Sequence, residues 1–174
     1  MYWPKLHKNK QNILILLTLL GFSSCKMKTN YSLTKIGSDQ ILNGSVQKEV
    51  LLNAQLFPWF NYEYRIYKPD TSILTDLKLK SKDIHALVFA GSWCSDTQRE
   101  LPRFYKIMDL AGIEAKQMDC IMLDQNKKCA YMNVESIQIS HIPTFIFYKD
   151  GKECGRIIEK ADSSLEMSIQ SFYK

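Results

Sequence analysis

One stretch, residues 86–97, limits the fold more than any other part of the chain. Residues 87–90 are apolar and β-prone, which is typical of a buried strand, and a glycine directly after them ends it. A helix is predicted to begin at about Ser95, so Trp93 and Cys94 lie at the junction. The Cys94 sulfur is therefore expected at a helix start, where free N–H groups and the helix dipole favour a thiolate.

The first 25 residues resemble the signal sequence of a bacterial lipoprotein. Three lysines precede a short apolar run over residues 13–22, and small residues then lead to Cys25. The run is short for a membrane span, which favours a secretory signal over an anchor helix. We expect lipidation of Cys25, which would leave an exported protein, lipid-anchored in the bacterial cell envelope, on the periplasmic face. A plain signal peptide or an uncleaved signal anchor are the alternatives.

Charge and length favour one domain behind this leader. The chain has a net charge of +5, but three of its basic residues belong to the leader, which leaves 20 basic residues against 18 acidic ones. No Lys/Arg cluster suggests nucleic-acid binding, so no nucleic-acid partner is expected. We divide the chain into a signal peptide (1–25), a polar tether (26–38), an N-terminal extension (39–61) and the main domain (62–174).

The five cysteines are not arranged as a metal site or a disulfide framework. They are Cys25, Cys94, Cys120, Cys129 and Cys154, and no CxxC pair or His/Cys ligand spacing occurs among them. The domain has enough apolar residues to build a core without disulfides. No metal and no cofactor is therefore expected.

Periodicity predicts an α/β domain with mixed strands and an N-terminal helical extension. The predicted helices span residues 40–56, 72–80, 95–110 and 163–172, and a further helix, with Cys129 near its start, is predicted to follow a turn at residues 124–127 and to run to about residue 134. The predicted strands span residues 62–67, 87–90, 117–123, 144–148 and 153–158, the last two joined as a hairpin by an Asp-Gly turn. Pro102 lies inside the helix that follows Cys94, where it removes an N–H donor.

Several separated positions together resemble the thioredoxin superfamily over residues 62–172. Trp93-Cys94 follows a buried strand, Pro102 comes eight residues after the cysteine, Asp124 ends the next strand, and Ile142-Pro143-Thr opens the hairpin. The resemblance implies a thioredoxin-like fold, a central mixed sheet flanked by helices. It also implies a cis Ile142-Pro143 bond against Cys94, with the Ile142 main chain pairing with an extended substrate. A cis bond costs far less before proline than elsewhere.

Three departures from the family pattern narrow the function. Thr97 stands where thioredoxins carry a second cysteine, Val88 where they carry a buried acid, and Cys120 where they carry the accompanying lysine. The resolving thiol and the proton-handling pair are therefore missing. The Trp-Cys-Ser-Asp-Thr site is similar instead to exported, monothiol thioredoxin-like proteins.

We therefore predict monothiol thiol–disulfide exchange at Cys94, with protein or small-molecule thiols and disulfides as partners. Trp93 would shape the surface, the Thr97 hydroxyl would stabilise the thiolate, and Ile142-Pro143 would orient the partner. The charge of Asp96 would oppose the thiolate slightly. A mixed disulfide could be released by an external thiol, by the substrate's own second cysteine, or by one of the three remaining thiols.

Two other functions remain open at this point. A non-catalytic peptide-binding module would use the proline groove and Trp93 while Cys94 does little. A thiol peroxidase would share the Cys-x-x-Thr pattern but lacks the further Gln and Trp-Asn-Phe elements of such enzymes. A Cys-His dyad is not favoured, because His85 begins the strand at the end opposite Cys94, and His141 is typical of a solvated loop histidine.

Overall fold

A six-stranded mixed sheet organises the part of the chain that the computed structural model describes, residues 30–173. Its strands are β1 (Asn30–Ile36), β2 (Asp39–Val46), β3 (His85–Ala90), β4 (Met118–Met122), β5 (Thr144–Lys149) and β6 (Lys152–Ile158). Their order across the sheet is β1-β2-β4-β3-β5-β6. The pair β3–β4 is parallel and the other neighbouring pairs are antiparallel.

Within residues 30–173, five α-helices accompany the sheet. They are α1 (Lys48–Leu51), α2 (Pro58–Ile66), α3 (Thr71–Leu79), α4 (Ser95–Leu110) and α5 (Leu165–Phe172). Side-chain caps fix two helix starts: Asp70 accepts a hydrogen bond from the Ser72 N–H before α3, and Ser164 accepts one from the Met167 N–H before α5. Such caps satisfy N–H groups that the helix itself leaves free.

The two faces of the sheet are covered differently. All five α-helices pack against one face, the helix-covered face, whose core includes Phe104, Phe145 and Phe147. The other face, with Phe89 at its centre, is covered by the irregular residues 123–142, and we call it the segment-covered face. Neighbouring strand residues point to opposite faces, so Val88 and Phe89 enter different clusters.

The predicted fold class is confirmed, and so are most predicted elements from residue 71 onward. Helix α4 has the predicted bounds Ser95–Leu110 and continues through Pro102. The strand before it, the next parallel strand and the Asp-Gly hairpin all form, and the closing helix is α5. These elements have the strongest periodicity in the sequence.

Residues 40–56 do not form the predicted amphipathic helix. Residues 39–46 form strand β2, which pairs with β1 on one side and β4 on the other, and only the four-residue helix α1 follows. Gly44, which would be unfavourable inside a helix, is required by the strand. Its φ is +120°, and a Cβ there would lie 2.2 Å from the Asn30 carbonyl oxygen.

The predicted polar tether, residues 26–38, contains strand β1. Asn30–Ile36 pairs with β2 residue by residue, and Gly37 at φ +60° begins the turn between them. Most of β1 is exposed on both faces, so it carries no apolar alternation that periodicity could detect. The extension and its tether therefore contribute strands to the central sheet.

Residues 62–67 do not form the predicted strand. They belong to helix α2, which begins with Pro58 in its first turn and packs against α4 through contacts such as Phe60 with Tyr105. The alternation of aromatic and polar residues there does not mark one face of a strand. Residues two apart would share a face in a strand, but Tyr62 is 55% exposed while Phe60 is fully buried. The boundary predicted between residues 61 and 62 falls inside α2.

The turn predicted at residues 124–127 forms, but the helix predicted to follow it, up to about residue 134, is absent. The Asp124 carboxylate closes the turn by accepting hydrogen bonds from the N–H groups of Asn126 and Lys128. Lys127 has a φ of +57°, which ends any helical path. After an isolated bridge between Cys129 and Met132, a 3-10 helix is the only helical turn in this stretch of the described chain.

The predicted leader lies outside the described residues, and so does Cys25. Within residues 30–173, none of the helices is both long and apolar enough to cross a membrane.

Candidate active site

The loop after β3 places Cys94 at the N-cap of α4. The Cys94 N–H donates to the Gly91 carbonyl at 2.9 Å, and the Cys94 carbonyl accepts the first helical hydrogen bond, from Gln98 N, also at 2.9 Å. The Cys94 side chain makes no capping hydrogen bond to the helix and is half-buried. The thiol therefore sits beside the positive end of a 16-residue helix with its sulfur free for other contacts.

The contact that the sulfur makes is with the loop before β5. The Cys94 thiol donates to the Ile142 carbonyl oxygen at 3.5 Å. Ile142 and Pro143 are both buried, and the peptide bond between them is cis. The structure thus brings Cys94, Ile142 and Pro143 together across 48 residues of chain, as the resemblance implied.

Trp93 folds back over the loop instead of extending into solvent. Its indole N–H donates to the Leu123 carbonyl at the end of β4, at 3.1 Å, and its ring is half-buried. Gly91 makes this possible, since a Cβ there would lie 2.7 Å from Ile142 Cδ1 and 2.8 Å from Trp93 Nε1. Trp93 and Ile142 therefore pack together next to the thiol.

Thr97 lies one turn into α4 and is completely buried. Its hydroxyl oxygen accepts a hydrogen bond from the Gly91 N–H at 3.2 Å. This contact ties the start of α4 to the loop that precedes Cys94. Donation from the Thr97 hydroxyl to a Cys94 thiolate stays a prediction.

The charges near the thiol are paired. Asp96 forms an ion pair with Arg99 at 2.7 Å, and Arg99 also contacts Glu100 at 2.7 Å. Hydrogen bonding to Glu100 raises the pKa of the Arg99 guanidinium, and a smaller contribution of the same sign comes from hydrogen bonding to Asp96. Arg99 therefore neutralises the carboxylate that was expected to oppose the Cys94 thiolate.

The two positions where the family acid and lysine are absent lie side by side. Val88 of β3 and Cys120 of β4 are partners in the parallel ladder, and both are buried in the helix-covered face. Burial raises the pKa of the Cys120 thiol to about 12, and the neighbouring Tyr105 hydroxyl offsets this only in part. Cys120 is therefore an inert core thiol, and no titrating pair replaces the missing one at these positions.

The remaining described thiols occupy different faces. Cys154 packs against the helix-covered face, and its thiol donates to the Phe147 carbonyl at 3.4 Å. Cys129 packs against the segment-covered face, together with Trp93 and Cys94. It lies in a turn, not at the helix start that the sequence predicted.

Neither histidine joins the thiol. His85 is exposed at the start of β3, at the far end of the strand from Cys94. His141 is exposed as well, and its ring Nδ1 lies 3.1 Å from the Ser140 hydroxyl. The His141 carbonyl accepts a hydrogen bond from the Thr144 hydroxyl at 2.6 Å, which fixes the backbone around Pro143.

Sequence reasoning missed Ser92, Gln98 and Asn43 as parts of the site. The Ser92 hydroxyl is bonded to the backbone of β2, and the Gln98 amide donates to the Ser92 carbonyl at 2.9 Å. Asn43 holds the turn around Cys129. The Ser92 hydroxyl and the Asn43 side chain have partners 50 to 87 residues away in the chain, so no local pattern marks them.

Comparison with known proteins agrees with this fold class. Residues 62–171 match a protein-family model described as Thioredoxin. Thioredoxin domain-containing protein 2 of Rattus norvegicus is 26% identical over 105 residues, which are 58% of this chain and 18% of that protein. The chloroplastic thioredoxin Y of Oryza sativa subsp. japonica is 26% identical over 110 residues, 58% of this chain and 62% of that protein.

Among solved structures, oxidized thioredoxin O1 from Arabidopsis thaliana is similar over 60% of this chain and 89% of that chain. Its TM-score is 0.41 and its sequence identity 15%. Since the family model covers more than half of the residues, the chain belongs to the thioredoxin family. The chain spans under a fifth of the length of the rat protein and less than two thirds of thioredoxin Y.

Proposed function

We propose that this protein carries out thiol–disulfide exchange through the single cysteine Cys94. The observation that carries the proposal is the position of its sulfur, which lies at the start of α4 and 3.5 Å from the Ile142 carbonyl oxygen. A thiolate at a helix N-terminus is stabilised electrostatically and is the nucleophilic form. Asp96, whose charge was expected to oppose the thiolate, is paired with Arg99.

In the first step the Cys94 thiolate attacks one sulfur of a substrate disulfide. The substrate S–S bond breaks, a mixed disulfide with Cys94 forms, and the departing thiolate takes a proton from water. In the second step the thiolate of an external thiol attacks the mixed disulfide at the substrate sulfur, which frees Cys94. No second cysteine of this chain is required.

The neighbouring residues have separate roles in this proposal. Trp93 and Ile142 form the apolar surface beside the thiol, since their side chains meet at Gly91. The main chain of Ile142 and Pro143 orients an extended partner against Cys94. The buried Thr97 supports the loop through Gly91 and supplies a hydroxyl near the thiolate. Protein disulfides and small-molecule disulfides are both possible substrates of an open site of this kind.

The location that we propose is the cell envelope, with a lipid anchor on Cys25. The support is the shape of the leader: basic residues, a short apolar run, and small residues before a cysteine. Growth of cells with an alkyne-bearing fatty acid should label the wild-type protein. The Cys25→Ala variant should lose the label and accumulate with an unprocessed leader. Equal labelling of both forms would contradict the anchor.

Exchange itself is tested with a peptide that carries a disulfide to a chromogenic thiol. Release of the chromogenic thiol should be rapid with the wild type and absent with Cys94→Ser, and mass spectrometry should find the peptide on Cys94. The Cys154→Ser variant is the matched control and should behave as the wild type. Absence of a Cys94 adduct, with the peptide still bound, would favour a binding module. Peroxide consumption that requires Cys94 would favour a thiol peroxidase instead.

A further inference from the structure

Strand β2 extends past the end of β4, beside the Cys94 loop. Only Gly44, Ser45 and Val46 of β2 pair with β4, while residues 39–43 pair with β1 alone. At about 3.3 Å per residue, residues 39–43 extend about 17 Å beyond the last β4 partner. We call β1, β2 and their turn, residues 30–46, the N-terminal hairpin.

Beyond the end of β4, the side chain of Ser92 bonds to the edge of β2 that β4 no longer covers. The Ser92 hydroxyl accepts a hydrogen bond from the Leu42 N–H at 2.9 Å and donates to the Gln40 carbonyl at 2.6 Å. Ser92 is only 3% exposed. Both backbone groups would lack a partner without it, and a buried unpaired backbone group is costly.

The same residue is held from its other side by α4. The Gln98 side-chain amide donates to the Ser92 carbonyl at 2.9 Å. The side chain of Ser92 is thus fixed to the hairpin and its main chain to the helix, directly before Trp93 and Cys94. The position of the loop that leads from β3 to Cys94 therefore depends on both contacts.

The hairpin also holds the opposite side of the site. The Asn43 amide donates to the Lys128 carbonyl at 2.9 Å, and its oxygen accepts from the Ala130 N–H at 2.7 Å. This turn follows Leu123, whose carbonyl receives the Trp93 indole hydrogen bond. Asn43 itself is 8% exposed, so its side-chain end of both hydrogen bonds is buried.

We propose that the N-terminal hairpin is a working part of the active site and that Ser92 is its positioning residue. The hairpin lies outside residues 62–171, which match the family model, so the assignment goes beyond the family's shared part. Ser92 sets the position of Trp93 and Cys94 relative to Ile142, and Asn43 sets the turn behind Trp93. The inference rests on the proposed exchange at Cys94.

The test compares Ser92→Ala with Ser164→Ala, with exchange measured as a function of peptide disulfide concentration. Ser164 caps α5, and Ser164→Ala removes one serine hydroxyl hydrogen bond at a place away from the hairpin. A misplaced sulfur should lower the maximal rate of Ser92→Ala about tenfold and leave the half-saturating concentration nearly unchanged. Ser164→Ala should keep both constants within about twofold of the wild type.

The readout separates positioning from stability. A smaller folded fraction lowers the amplitude of the reaction but leaves the rate of the folded molecules unchanged, so a slower maximal rate with full amplitude supports the proposal. A maximal rate of Ser92→Ala within about twofold of the wild type overturns it. Should Ser92→Ala not fold, Asn43→Ala takes its place. A slower maximal rate of exchange in Asn43→Ala supports the proposal, and an unchanged maximal rate overturns it.

Failure of the proposed function is distinguished by a second probe. If the wild type shows no exchange, the variants are compared by the rate at which iodoacetamide alkylates Cys94, which needs no disulfide chemistry. A changed rate in Ser92→Ala, against an unchanged rate in Ser164→Ala, still supports the positioning role. Equal rates in all three proteins overturn it.

Discussion

The two faces of the sheet are built in different ways and serve different ends. The helix-covered face contains a dense set of rings, and five helices with their own backbone hydrogen bonds close over it. The segment-covered face lies under residues 123–142, which contain turns and one short 3-10 helix. Cys94, Trp93 and Ile142 belong to this second face. Stability is therefore concentrated on one face and the proposed chemistry on the other.

The largest expected effect is on the helix-covered face, at Phe104. This ring is fully buried, with ring centroids of Phe145 at 5.0 Å and Phe147 at 6.2 Å. Phe104→Ala should lower the free energy of unfolding by about 3–5 kcal/mol, as removal of a buried ring usually does. Urea unfolding followed by circular dichroism measures the loss.

The exchange rate of the folded Phe104→Ala molecules should stay within about twofold of the wild type, because the ring does not contact the segment-covered face. A tenfold slower exchange at full folding would show that the two faces are coupled, and would break the comparison.

The second prediction applies one substitution to both faces. Ile107 of α4 is fully buried on the helix-covered face, whereas Ile139 is half-buried on the segment-covered face. Ile107→Ala should cost about 2–5 kcal/mol of unfolding free energy. Ile139→Ala should cost about 1 kcal/mol, because less area leaves water when it folds.

For exchange the order should reverse. Ile139→Ala loosens the cluster that holds Trp93 and Cys94, so its exchange should slow several-fold, while Ile107→Ala should exchange normally once folded. Stopped-flow measurement at a temperature where both variants are folded decides this. Equal exchange rates in the two variants would show that residues 123–142 do not influence exchange at Cys94.

The same division explains what the sequence could predict. Helix α4 has a regular apolar side because it packs on the helix-covered face, and β3 and β5 are continuous apolar runs because both of their sides are buried. The position of Cys94 at a helix start and its nearness to Ile142-Pro143 were predicted from that order and from the family resemblance. The elements that failed are those whose conformation depends on distant partners.

Three residues illustrate that dependence. Gly44 suggests a broken helix until β1 and β4 are placed on either side of it. Asp124 suggests a turn, which forms, but the helix expected after it does not, since Asn43 of the hairpin bonds the main chain of the next residues. Ser92 has no local signature, since its hydroxyl partners are 50 and 52 residues earlier in the chain. Local propensity cannot detect such contacts.

The third prediction concerns a buried carboxylate of the helix-covered face. Glu166 is 3% exposed and accepts hydrogen bonds from the Tyr67 hydroxyl at 2.6 Å and the Asp70 N–H at 2.9 Å. Burial raises the pKa of the Tyr67 phenol, and the hydrogen bond to Glu166 raises it further. The phenol therefore stays a neutral donor. Tyr67→Phe should cost about 1–3 kcal/mol, because the buried carboxylate loses a donor.

Thermal unfolding at neutral pH measures that cost, and exchange at Cys94 should not change. Tyr62→Phe is the matched control, since this tyrosine is 55% exposed and should be nearly neutral. A loss from Tyr62→Phe equal to that from Tyr67→Phe would remove the special role of the Glu166 contact.

The smallest expected effect is at Cys129, and it sharpens the mechanism most. Of the other thiols in residues 30–173, Cys120 and Cys154 pack against the helix-covered face, and Cys129 alone shares a cluster with Cys94. If an external thiol releases the mixed disulfide, Cys129→Ser should keep the exchange rate and the lifetime of the adduct within about twofold.

The contrary result would be specific. A long-lived peptide adduct on Cys94 in Cys129→Ser, together with a Cys94–Cys129 disulfide in the turned-over wild type, would assign the resolving step to Cys129. The segment-covered face would then hold both thiols of the reaction. Because Asn43 bonds the residues on both sides of Cys129, the N-terminal hairpin would position the second thiol as well as the first.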